Sequence, residues 1–80
     1  MNKPVIFRFK SQKERYNTYL YFANDKKFPF FVYTLAYDII IDIPEELVYD
    51  FIKDIRITLK NKNIKIYYDG REISRNMYKM

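Results

Sequence analysis

Two carboxylates four residues apart, Asp38 and Asp42, are the nearest thing in this chain to a reactive pair. On a strand that spacing puts both on one side, where their oxygens would suit Mg²⁺ or Ca²⁺. Two carboxylates do not complete a coordination shell, so no metal and no cofactor is expected. Other chemistries are excluded more directly. His and Cys are absent, Ser occurs only at positions 11 and 74, and the single Gly70 cannot build a phosphate-cradling loop. The expectation is a protein that binds rather than an enzyme.

Basic and aromatic residues offer the first candidate surface. Residues 1–36 carry 7 basic and 2 acidic groups, residues 37–54 carry 1 and 6, and residues 55–80 carry 7 and 2, within a net charge of +5. In an up-and-down arrangement, Lys26 and Lys27 in one turn approach Lys60 and Lys62 at a helix exit and Lys65 on the next strand. That basic pole would meet phosphate. Tyr19, Tyr21 and Tyr67 would supply the stacking rings that single-stranded nucleic acid uses. The plainer account is a solvated lysine cluster with tyrosines packed in strands. Phe, Tyr, Met, Ile, Asn and Lys, all encoded by AT-rich codons, fill 46 of the 80 positions, so genomic bias accounts for part of the excess.

A second candidate surface is acidic. Glu46, Asp50 and Asp54 recur every four residues on an expected helix and repel one another by about 0.2–0.5 kcal/mol per pair. A basic partner would offset that repulsion, as would this protein's own Arg and Lys side chains. Tyr49 and Ile57 project near the same side and complete a candidate protein-partner surface. At the opposite pole, Lys10, Lys13 and Arg15 are expected near Asp42, Glu45 and Glu46, balancing charge.

The elements that must position these residues follow from periodicity. Val5, Phe7 and Phe9 alternate with Arg8 and Lys10, which reads as a strand. Tyr16 to Ala23 alternates as well, with Tyr16, Thr18, Leu20 and Phe22 on one side, and is read as a second strand in a hairpin with the first. The odd positions from Phe31 to Ile43 are all apolar or aromatic, which predicts one long, bent strand over about 30–42. Pro44, Glu45 and Glu46 open a helix predicted over 44–60 on the face Leu47, Val48, Phe51, Ile52, Ile55 and Leu59. Residues 55–60 also alternate like a strand; charge polarity favours the helix. Ile64 to Tyr68 and Arg71 to Ser74 form a hairpin across Asp69-Gly70, and residues 75–80 are a frayed tail. The fold class is α+β in one domain: a small antiparallel sheet of about four to five strands with one helix on one face, in the order β-β-β-α-β-(β).

One segment, Lys26-Lys27-Phe28-Pro29-Phe30-Phe31-Val32-Tyr33, resembles the aromatic rhythm of the sheet motif in RNA-recognition domains. It departs from that pattern at Lys27 and Pro29, where small residues belong, and the strand-helix-strand order such a domain needs is not read upstream. A hydrophobic strand is the preferred reading. In size, composition and missing catalytic chemistry the chain is similar in style to small phage or mobile-element accessory proteins, anti-CRISPR inhibitors among them, though no motif aligns. The functional expectation is therefore a non-enzymatic protein that occupies a macromolecular partner's surface, as an anti-defence inhibitor of a nucleic-acid-processing protein would. Direct nucleic-acid binding is the alternative, and a structural homodimer joined by a strand edge or an aromatic sheet face is the third. The apolar run at 28–43 is too broken and short for a membrane span, and nothing requires an oxidising compartment, so the expected location is the cytoplasm, or the host cytoplasm for a phage product.

Overall fold

In the computed structural model, which describes residues 1–59 and 64–73, the chain winds as β1 (Asn2–Arg8), α1 (Gln12–Ala23), β2 (Phe31–Leu35), β3 (Asp38–Pro44), a 3-10 turn (Glu45–Leu47), α2 (Val48–Thr58), β4 (Lys65–Tyr68) and β5 (Arg71–Glu72). The five strands form one antiparallel sheet in the order β2-β3-β1-β4-β5. Its first four strands and two helices make the β-α-β-β-α-β, or split β-α-β, arrangement. The α+β class and the small antiparallel sheet match the sequence reading. The element order and the single helix do not.

The first correction is α1, where a second strand was expected. Ser11 caps this helix: its hydroxyl accepts from the Glu14 backbone N–H at 3.1 Å. Ser11 and Glu14 form the S-x-x-E signature of a helix start, and no Gly or Pro interrupts residues 12–23. Thr18 and Phe22, four residues apart, are buried against the sheet, and Tyr19 packs beside them.

The second correction divides the long strand. β2 and β3 form a hairpin in which Leu35 pairs with Asp38 across the two-residue loop Ala36-Tyr37. Ala36 has φ +54°, the sign that a type II′ turn requires at its first central residue. After a two-residue loop the parity of the strand inverts. Odd residues of β2 and even residues of β3 therefore share a face.

The predicted helix over 44–60 is present as the 3-10 turn followed by α2, with Pro44 closing β3 rather than opening the helix. Residues 55–58 are helical, which resolves the competing strand pattern; Lys60 lies outside the described residues. The Asp69-Gly70 hairpin is as expected, with φ +54° and +76° at its two central positions. Ile73 is buried and donates its N–H to Ile66. Residues 74–80, including the predicted tail, lie outside the described residues.

One core joins these elements. Val5, Phe7 and Phe9 of the β1 segment, Ile39, Ile41 and Ile43 of β3, Ile66, and Ile73 meet Phe22 of α1 and Val48, Ile52 and Ile55 of α2. Phe28 and Phe30, from the loop before β2, close it with ring contacts to Phe22 and Phe51 at 5.0–6.0 Å. Both helices and that loop thus lie on the same side of the sheet. Pro4 sits in the central strand without cost to the ladder, because β4 pairs only with Val5 to Arg8 and no strand meets the proline nitrogen.

Candidate functional site: the open face of the sheet

With every covering element on one side, the other side of the sheet is open among the described residues. Alternation and register place Phe31, Tyr33 and Leu35 of β2, Asp38, Ile40 and Asp42 of β3, Pro4, Ile6 and Arg8 of β1, Lys65 and Tyr67 of β4, and Glu72 of β5 on it. A row Tyr33-Ile40-Ile6-Tyr67 crosses four strands. Phe31 and Leu35 are each 66% exposed and Tyr33 39%, and the Phe31 and Tyr33 rings lie 5.3 Å apart. Ile40, in the middle of the row, is buried at 8% and Ile6 and Tyr67 are half-buried, so the exposed apolar surface is greatest on β2; for a domain this small, such a patch is the kind of surface that marks an interaction site.

Arg8 and Asp38 hold the centre of one end. The guanidinium donates from Nε to Asp38 Oδ1 at 2.9 Å and from Nη2 to Oδ2 at 3.0 Å, a fork-to-fork pair. Arg8 also lies over the Tyr67 ring, 5.0 Å from its centroid. The hydrogen bonds and charge of Asp38 raise the Arg8 pKa above its ordinary value. The pair pins β1, β3 and β4 together at the surface and leaves the Arg8 side chain half exposed. Asp38 is thereby committed to an arginine, and Asp42 lies four residues along the strand. Among the described residues no group of three or more acidic, His or Cys side chains is arranged to hold a metal.

Among the described residues, Lys26 and Lys27 do not share a pole with Lys65. Lys26 and Lys27 lie in the turn before β2, at the sheet end where Phe31 pairs with Asp42, whereas Lys65 pairs with Arg8 at the opposite end. Lys60 and Lys62 lie outside the described residues. Lys65 instead shares a shallow hollow with Arg8, Phe9 and Lys10. Tyr19 and Tyr21 sit on α1, the first packed against the core and the second exposed, and only Tyr67 lies on the open face. The expected balance of Lys10, Lys13 and Arg15 with Asp42, Glu45 and Glu46 is not realised. Lys10 follows the Arg8 end of β1, while the Glu45 N–H bonds to Met1 at the other end.

Of the acidic surface, Asp50, Asp54 and Ile57 remain exposed along α2, and Glu46 is exposed in the 3-10 turn. Tyr49 is exposed with them, and its ring meets Tyr68 at 5.9 Å. Burial, then the charges of Glu45 and Asp69, raises the Tyr68 pKa. Sequence reasoning did not single out Ile6, Phe31, Tyr33 and Leu35 as surface residues; Ile40, on the same face, is buried.

The fold and the open face together define a small α+β protein whose sheet has one helix-covered face and one face uncovered among the described residues. No protein family, curated protein or solved structure matches the chain. No helix among the described residues is long and apolar enough to cross a membrane.

Proposed function

We propose that this chain is a small non-enzymatic binding protein that acts by occupying the surface of a protein partner, and that the open sheet face makes the contact. The observation that carries this reading is the apolar band from Phe31 to Tyr67, which no described element covers. Its charge supports a protein partner over nucleic acid: Arg8 and Lys65 share the face with Asp38, Asp42 and Glu72, whereas a strand-binding groove is predominantly basic. The strand-helix-strand order missing from the sequence reading does exist, but the aromatic segment 26–33 falls on a turn and the edge strand β2. The likeness in style to mobile-element inhibitors makes a host nucleic-acid-processing protein the first class of partner to screen.

The test compares proteins retained from source-cell extract by the immobilised wild-type chain, by the face variant Ile6→Lys/Tyr67→Ser, and by the helix variant Glu46→Lys/Asp50→Lys/Asp54→Lys, each checked for folding by circular dichroism. A stoichiometric partner lost only by the face variant supports the proposal. Loss only in the helix variant moves the site to α2. Tight, salt-sensitive binding of single-stranded RNA or DNA by the purified wild type, abolished by Lys10→Glu/Lys65→Glu, replaces the protein partner with nucleic acid.

A further inference from the structure

The two edges of the sheet are built differently. β5 is only two residues long, and both, Arg71 and Glu72, are charged. Short, charged edges resist pairing with another chain. β2 is five residues long and contains no charge and no proline: Phe31, Val32, Tyr33, Thr34, Leu35. Among the described residues no strand pairs with its outer side.

Which backbone groups point outward follows from the register. The Phe9 N–H bonds to Tyr37 at 3.0 Å, so the odd residues of β3 exchange bonds with β1 and its even residues exchange bonds with β2. Leu35, Tyr33 and Phe31 are therefore the residues bonded to β3. The N–H and C=O groups of Val32 and Thr34 are left facing the open edge.

We propose that this edge is an interface for a second copy of the same chain, joined as an antiparallel β2-β2 pair with the two-fold axis at Tyr33. In that register Val32 of each copy exchanges both ladder bonds with Thr34 of the other, and all five residues are used. Phe31 faces the other copy's Leu35 on the open side, Tyr33 faces its own counterpart, and no like charges meet. The strand is chemically self-complementary about its centre, as an isologous contact requires. The product is a ten-stranded sheet whose apolar faces run on continuously from one copy to the next. This proposal rests on the edge of β2 and is independent of which partner occupies the face.

The full chain is tested by light scattering after size exclusion over a dilution series. The expected result is a mass that rises from 10.0 kDa toward twice that value with concentration. Thr34→Pro removes only an outward N–H, so it should keep the fold by circular dichroism and weaken dimerisation by about tenfold or more, as expected for two lost ladder bonds. Register is read with cysteines, since the wild-type chain has none. Tyr33→Cys should form a disulfide-linked dimer under mild oxidation, because facing residues of a non-hydrogen-bonded pair lie about 4.5 Å apart at Cα. Phe31→Cys should not, because Leu35 faces it. A wild-type chain monomeric throughout overturns the proposal, as does a Thr34→Pro dimer as strong as the wild type or equal cross-linking by both cysteine variants. A wild-type chain that retains no partner while its dimer forms counts against the proposed function alone.

Discussion

Replacing Ala36 by Gly should stabilise this protein. Ala36 is exposed and has φ +54°, a backbone region that costs a residue with a β-carbon about 1–2 kcal/mol. Glycine removes that cost, and because the side chain is exposed its loss opens no cavity. Against this stands the larger conformational freedom of glycine in the unfolded chain, about 0.4–1 kcal/mol. The net gain is about 0.5–1 kcal/mol, which for a domain of this size raises Tm by about 2–8 °C. Ala36→Val carries a branched β-carbon into the same region and should lower stability by about 1 kcal/mol or more. Gly70→Ala runs the comparison in reverse: φ is +76° and an added β-carbon meets no atom within 4 Å, so only backbone strain opposes it, by about 1–2 kcal/mol. Thermal unfolding by calorimetry, with urea titration as a check, measures all three. An Ala36→Gly variant that melts at or below the wild-type temperature refutes the reasoning, because the turn would then store no strain.

Two further outcomes follow from local structure. Ser11→Ala deletes the hydroxyl that accepts from Glu14 and should cost about 1 kcal/mol by urea denaturation, with Ser11→Asp retaining most of the stability; equal loss in both would mean that α1 does not depend on this cap. Tyr68 is held protonated more firmly in the folded chain than in the unfolded one, through burial first and then Glu45 and Asp69. The stability this confers is complete below the unfolded pKa of about 10 and is lost as pH rises through the folded value. Alkaline pH titration of the urea midpoint should show that decline, and Tyr68→Phe should flatten it.

The helical face at 48–58 and the Asp69-Gly70 hairpin were legible in the sequence because each has one dominant local cause. α1 was not, because its aromatic residues satisfy two periods at once. Tyr16, Thr18, Leu20 and Phe22 fit a strand, while Thr18, Tyr19 and Phe22, the residues that α1 turns to the core, fit a helix. Ser11 with Glu14 was the available signal that decides between them.

The same ambiguity at 31–43 hid the candidate site. Unbroken alternation of apolar residues implies one strand with one buried face. A two-residue turn at Ala36-Tyr37 inverts the parity, so Ile39, Ile41 and Ile43 go into the core while Phe31, Tyr33 and Leu35 go to the opposite side, away from the helices. A sequence selected only to bury this hairpin's apolar side chains beneath the helices would shift its apolar positions by one across the turn. This one keeps them odd on both strands. The exposed aromatic edge of the sheet is therefore encoded in the hairpin's own pattern, and it is the physical ground for proposing this face, rather than the charged helix, as the contact surface.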